Sequence, residues 1–398
     1  MAGLPRYFQD SGDAAAADQA VADKLMSRGL PSLADLRSSR KLRLWLPVAA
    51  TCFVLLSISN RYDALSSIRS GWPETGQGVD DDGLTPSNGA SVDWSRFAYT
   101  QYVTDSHYLC NSVMLFERLQ HVGSRADRVL MYPRHMFDPN ASEGDLGADG
   151  FLVKKARDEY GAHLVPIDVQ RRETDDSTWE ASFTKLLAFN QTQYDRVLSL
   201  DSDSIVMQNL DELFLLPSCP VAAPRAYWLI KDKKKILSSQ LLLVEPSKDE
   251  FARVMAQVDQ AGSNDYDMEI INQLYLDNAL VLPHRPYDLL SSEFRNQPDD
   301  HSRYLGTDRE EWDPVAVLNE AKFIHFSDWP LPKPWITPKE HQWQEVQPEC
   351  HERHGQESCI EREIWYGFYS DFIERRKRVC GSVVDERRRR GKWPAYTR

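Results

Sequence analysis

The sequence lacks a basic excess. Of its 398 residues, 47 are Lys or Arg and 60 are Asp or Glu, giving a formal net charge of −13. A field of that sign repels phosphodiester backbones, which excludes a general nucleic-acid binder. A phosphate-bearing ligand would need local cations or a metal instead. Glycine is absent from residues 97–108, the first strand-like stretch and the turn after it, so the Gly-rich phosphate turn that a nucleotidyltransferase needs there is missing. There is no internal repeat. The only low-complexity block is the basic run 387–390, which reads as a solvated end. Cysteine is sparse, with six in the chain, and long charge-free apolar runs are limited to one.

What is there fits a folded globular protein: 41% hydrophobic and 27% charged residues, in a length that suits one large domain or two ordinary ones. The single apolar run, residues 44–58, lies between Arg43 and Arg61. Extended to 42–60, it predicts one transmembrane helix, short against the usual ~17–25 residues but lengthened by snorkelling of Arg43. Arg37, Arg40, Lys41 and Arg43 crowd its N-terminal side, while Arg61 and Arg69 precede an acidic run, Asp80-Asp81-Asp82, on the other. The positive-inside rule then puts residues 1–41 in the cytosol and the bulk of the chain in a lumen, a type II signal anchor. Residues 61–93, rich in Gly, Asp, Ser and Pro, read as a flexible stem.

Two sequons, at Asn140 and Asn190, agree weakly with a lumenal location, the second on a predicted helix. Five of the six cysteines lie beyond the span. An oxidising lumen permits at most two disulfides among them and leaves one thiol over. Cys350 and Cys359 are the expected pair, and Cys110, among apolar helix positions, is expected to be a buried thiol.

From Trp94 onward the periodicity alternates. Residues 97–103, 128–132, 163–169 and Arg196–Leu200 read as strands; 106–119, 151–160 and 179–194 read as helices. Repeated βαβ units predict an α/β fold with a mostly parallel sheet, whose ligands sit beyond the carboxyl ends of the strands. Asp201-Ser202-Asp203 directly follows strand Arg196–Leu200. Two carboxylates one residue apart at a strand end can converge on one hard cation such as Mg²⁺ or Mn²⁺, which commonly bridges carboxylates and substrate phosphates. The alternative is that Asp203 only shapes a turn. A second signal is the stretch HFSDWPLPKPW, residues 325–335. His325 follows another strand-like run and can complete a metal's ligand set. Lys333 offers a point charge for a phosphate, on a loop stiffened by prolines. Singly, His325 reads as a core histidine, and Trp329 and Trp335 read as packing.

Together these motifs resemble glycosyltransferase family 8, the glycogenin-like group, over nearly the whole stretch 94–335. Members carry a D-x-D, here Asp201 and Asp203, and an H-x-x-G-x-x-K-P-W, here HFSDWPLPKPW with two extra residues and no glycine. The resemblance implies a Rossmann-like GT-A fold over residues 94–340, extended by 341–398. It implies a divalent cofactor, Mn²⁺ or another ion, held by Asp201, Asp203 and His325, with retention of the donor's anomeric configuration. It assigns Tyr102, Thr104, Asp105 and Tyr108 to the base and ribose of a UDP-sugar, Tyr108 by stacking. Lys185 falls near the donor's ribose or sugar, Ser202 with the donor, and Ser238 where Asn is usual in the sugar pocket. Lys333 would assist the departing UDP, and Asp267 would orient the donor sugar or act as nucleophile. Within the family, the anchor and the stretches at 97–119 and 325–335 look like fungal Golgi N-acetylglucosaminyltransferases. That implies UDP-GlcNAc as donor and a glycan acceptor, carried on protein. UDP-glucose or UDP-galactose as donor, and a non-catalytic sugar binder, remain as alternatives, and the oligomeric state stays open.

Overall fold

The computed structural model describes residues 91–172, 180–229, 235–353 and 355–381. The expected tail 1–41, span 42–60, the stem up to residue 90 and the basic run 387–390 lie outside these residues. Among the described residues, no helix is long and apolar enough to cross a membrane.

The chain enters through a short turn of helix at Trp94–Arg96 and forms β1, Phe97–Tyr102. The side chain of Asp105 accepts hydrogen bonds from the backbone N–H groups of His107 (2.7 Å) and Tyr108 (3.2 Å), capping α1, Ser106–His121. That cap satisfies two of the donors a helix start leaves unpaired. Leu109, Val113 and Phe116, at helical spacing, are buried, and so is every residue between them, so α1 is packed on more than one side. Then come β2, Asp127–Pro133, α2, Ala148–Tyr160, and β3, Ala162–Ile167. Gly161, with φ of 65°, closes α2 in the left-handed conformation that favours glycine. Further along lie β4, Arg196–Leu200, β5, Ser204–Val206, β6, Val221–Pro224, and β7, Leu241–Val244. They are followed by α3, Lys248–Val258, α4, Asp267–Tyr275, β8, Leu280–Leu282, β9, Leu289–Leu290, and β10, Phe323–His325. The last long helix is α5, Ile360–Cys380.

The main sheet has seven strands in the order β3-β2-β1-β4-β7-β6-β8. Pairings β3–β2, β2–β1, β1–β4 and β6–β8 are parallel, while β7 runs antiparallel to both β4 and β6. The sheet is therefore mostly parallel, as the βαβ periodicity implies. Val129, Met131, Val197 and Leu242 pack beneath Phe183, Leu186, Phe189, Ile270 and Tyr275 in one buried core. Burial of each such side chain stabilises the fold by roughly 1.5–3 kcal/mol.

A smaller sheet positions the chemistry. In it β10 pairs antiparallel with β5 and parallel with β9, and the register sets His325 opposite Ser204. A residue from late in the chain is thereby placed beside the turn that follows β4.

Two expectations change. The helix expected over 179–194 is a 3₁₀ helix, Ser182–Asn190, with residue 179 outside the described residues. Every side chain from Ser182 to Phe189 is buried, so no solvent face exists to give an amphipathic α-helix. Short-range bonds such as Thr184 N–H to the Ala181 carbonyl (3.1 Å) tighten it instead. Cys110 is not a free thiol. It is joined to Cys380 at the end of α5, with Cα atoms 5.9 Å apart, and among the described residues the free cysteine is Cys219, which is buried. Cys350 and Cys359 are paired, Cα atoms 4.3 Å apart.

Candidate active site

β4 ends at the centre of the sheet and delivers Asp201-Ser202-Asp203 into the notch beside β7. The N–H of Asp201 donates to the carbonyl of Gln240 (2.9 Å), and the N–H of Phe326 donates to the carbonyl of Asp203 (3.0 Å). The β5–β10 register then turns the imidazole of His325 onto both carboxylates. Its Nε2 lies 3.4 Å from Asp203 Oδ1 and 3.8 Å from Asp201 Oδ2. On the ring's other edge, Nδ1 meets the hydroxyl of Ser327 at 2.9 Å. Such a partner fixes the orientation of a ligating histidine.

One ligand atom from each of Asp201, Asp203 and His325 lies within 4.8 Å of the other two. Two carboxylate oxygens and one imidazole nitrogen suit a divalent ion of the Mn²⁺ type, so the group fits a metal.

Two lysines complete the cluster. Lys185 is fully buried. Its ammonium reaches Asp267 Oδ2 (2.7 Å), Asp201 Oδ1 (2.8 Å) and the carbonyl of Ser239 (3.0 Å). An ammonium has three protons, and here three acceptors take them. Lys185 thereby ties two carboxylates of the cluster together. Lys333 forms an ion pair with the carboxylate of Asp203. Three carboxylates facing two ammonium groups leave the cluster with room for a cation.

The electrostatics follow. Burial pushes the Asp201 carboxyl up; Lys185 opposes this, and neighbouring Asp203 adds to it. Burial also works against the charge on Asp203, but Lys333 and His325 outweigh it and hold that carboxyl well below the usual range. Burial likewise opposes the charge on Lys185, yet Asp201 and Asp267 keep its pKa above the ordinary value. Tyr102, whose hydroxyl donates to Asp201 Oδ1 (3.3 Å), is held neutral by burial and then by that carboxylate.

Asp267 opens α4, and its Oδ2 accepts from both Lys185 and the hydroxyl of Ser239 (2.8 Å). Asn272, one turn on, exchanges hydrogen bonds with the backbone of Leu237 (2.8 and 2.9 Å), pinning the approach to β7. Ser238 is buried just before that strand, and its hydroxyl accepts from the N–H of Gln240 (3.3 Å). Ser202 is buried between the two aspartates. Thr104 sits half-buried beyond β1. Asp105 is the cap of α1: its Oδ1 accepts both backbone bonds, and the residue is exposed. The ring of Tyr108 packs edge-on against Trp335, with centroids 5.1 Å apart, and burial raises its pKa.

Four participants went unread in the sequence. Ser327 and Asp328 lie inside the His–Lys stretch and could have been sought there. Asp328 is buried and accepts hydrogen bonds from Trp365 Nε1 (2.9 Å), the Tyr369 hydroxyl (2.9 Å) and the Ser291 hydroxyl, with Arg295 at 3.6 Å. Ser239 and the fully buried Asp288 carry no sequence signal.

No family profile matches the chain. Glucose N-acetyltransferase 1 of Gibberella zeae is 59% identical over 73% of this chain, which spans 64% of that relative's length. Glucose N-acetyltransferase 1 of Aspergillus fumigatus is 47% identical over 73% of this chain and 79% of its own length. Among solved structures, the glycosyltransferase GlyE of Streptococcus pneumoniae aligns over 76% of this chain and 66% of that one, with 16% identity and a TM-score of 0.44, too distant to bear on the site.

Proposed function

The chain belongs to the family of fungal proteins named glucose N-acetyltransferase 1, and from that premise we propose that it is a metal-dependent, retaining glycosyltransferase. It moves N-acetylglucosamine from UDP-GlcNAc to a glycan acceptor carried on protein. The carrying observation is the convergence of Asp201, Asp203 and His325, with ligand atoms within 4.8 Å of one another, from segments over a hundred residues apart.

These three residues would hold the ion, with Ser327 keeping His325 Nε2 turned toward the carboxylates. When bound, a divalent ion such as Mn²⁺ supplies charge stabilisation to the diphosphate. Lys333 brings a second positive charge to the same edge, where developing charge on a leaving group is best met by fixed groups. Lys185 keeps the buried carboxylates of Asp201 and Asp267 together. With Oδ2 of Asp267 held by Lys185 and Ser239, Oδ1 is the atom that remains for a hydroxyl of the donor sugar, so the reading favours orientation over nucleophilic attack. Retention is met when the acceptor hydroxyl bonds to the anomeric carbon from the face that UDP leaves. Its proton then passes to the departing phosphate oxygen.

The type II anchor at 42–60 and a Golgi lumenal location belong to this reading. Charge asymmetry around the apolar run supports them, as do two disulfides, which persist in oxidising compartments.

The test is UDP release by the detergent-solubilised chain from UDP-GlcNAc, UDP-glucose and UDP-galactose, with Mn²⁺ or with EDTA. We expect turnover of UDP-GlcNAc that EDTA removes, and a loss of at least roughly a hundredfold in Asp201→Asn and Asp203→Asn at unchanged thermal midpoint. Undiminished turnover in either variant rejects the metal assignment, and preference for another sugar rejects the donor. Taken word for word, the relatives' name describes acetyl transfer to glucose, a chemistry that release of UDP from UDP-GlcNAc would speak against.

A further inference from the structure

We infer that Trp329 is the stacking platform for the acceptor's sugar ring. This rests on the glycosyl-transfer reading above. The loop that carries Trp329 is closed on the metal site at both ends. It begins at Phe326, whose N–H is bonded to the carbonyl of Asp203, and ends at Lys333, paired with the carboxylate of the same residue. Trp329 is three residues past Phe326, and extended chain covers at most ~3.3–3.6 Å per residue, so its backbone lies within roughly 14 Å of Asp203.

The loop is rigid at that point. The N–H of Leu331 donates to the carbonyl of Asp328 (2.8 Å), closing a turn with Trp329 and Pro330 at its two corners. Arg295 Nη1 donates to the carbonyl of Trp329 (3.2 Å). The preceding side chain, Asp328, is locked inward by Trp365, Tyr369 and Ser291. All of this fixes the backbone while the indole stands out.

Trp329 is 67% exposed, the most exposed of the large apolar side chains described; the other described tryptophans are buried or half-buried. Trp335, six residues on, is only 9% exposed and packs against Tyr108 and Phe372. A lone exposed apolar residue is ordinary on a protein surface. An indole with two side-chain torsions on an anchored backbone within roughly 14 Å of Asp203 is not, because it binds at small entropic cost. The two residues by which the His–Lys spacing exceeds the family's pattern fall in this same loop. A hexopyranose offers a C–H face that stacks on an aromatic plane and a hydroxyl rim that stays wet. On the transferase reading, in which Tyr108 of α1 takes the uracil of the donor, the acceptor's ring is the occupant that fits Trp329.

The experiment measures UDP release by the full chain from UDP-GlcNAc, with the methyl glycosides of mannose, glucose and galactose as acceptor probes. With the probe that accelerates release most, Trp329→Ala should raise the acceptor KM about tenfold, equivalent to about 1.4 kcal/mol, while the donor KM shifts less than about twofold. Trp329→Phe, which keeps an aromatic face, should recover most of that loss. An acceptor KM unmoved in Trp329→Ala, a parallel rise in donor KM, or wild-type release that no glycoside accelerates overturns the platform. If no UDP-sugar is turned over at all, the transferase reading itself fails.

Discussion

Residues 97–200 and residues 284–381 build their structure by opposite means. In the first region strands and helices follow one another in the order the periodicity predicts, and β1, β2, β3 and β4 pair as parallel neighbours. In the second, secondary structure before α5 is short, and the chain is held by single long-range pins. One is the Cys110–Cys380 disulfide across a separation of 270 residues, and another is Arg376 of α5, bonded to Asn111 and to the carbonyl of His107. A third is Asp328, joining the His–Lys loop to α5. The first region makes a scaffold from local pattern. The second supplies His325 and Lys333 to it, and their placement depends on contacts that no local pattern encodes.

Cutting the longest pin should have the largest effect. A cross-link stabilises mainly by restricting the unfolded chain, so Cys110→Ala with Cys380→Ala should cost about 5 kcal/mol, against about 3 kcal/mol for removing Cys350–Cys359, whose separation is 9 residues. Guanidinium midpoints of the two double variants measure the difference. Equal losses would mean that α5 is held by its apolar face, with Trp365, Phe368 and Phe372 buried, and that the comparison between regions is one of packing rather than of pins.

Next in size is the buried carboxylate that ties the loop to α5. Asp328→Ala leaves the Trp365 N–H and the hydroxyls of Tyr369 and Ser291 facing a void, and should cost about 3 kcal/mol. Asp328→Asn keeps the volume and one acceptor and should cost less. Urea unfolding measures both. A neutral alanine variant would show that water replaces the carboxylate and that the second region tolerates loss of its pins.

This asymmetry explains what could be read beforehand. The scaffold was legible because Leu109, Val113 and Phe116 repeat at helical spacing and because Arg196–Leu200 is apolar enough to be a buried strand. The pair Asp201 and Asp203 was legible because its position at a strand end has a chemical meaning. That His325 meets them follows from the β5–β10 register, which a resemblance can imply but local periodicity cannot. Cys380 was left out of the pairing because its partner is set by the tertiary course of α5, so Cys110 read as one more buried apolar position. That Lys185 bridges Asp201 and Asp267 is a tertiary fact, since sequence cannot count acceptors around an ammonium.

The smallest expected effect comes from a group where the two regions meet. Asp288, just before β9, is fully buried, and neither carboxyl oxygen forms a well-aligned hydrogen bond. Its pKa is pushed up to about 8, first by burial; Ser238 favours the charge, Asp201 opposes it, and Lys185 favours it. In the folded protein it holds a proton that the unfolded chain gives up near its ordinary value of 3.8. The folded state thus binds more protons across that window, and stability is greatest at the acid end and falls as pH rises toward the folded pKa. Asp288→Asn, which stays neutral throughout, should remove this slope, a difference of about 1 kcal/mol between about pH 7 and about pH 9. Urea titrations of both proteins across that range measure it. Parallel curves would mean that Asp288 ionises without cost in the folded protein.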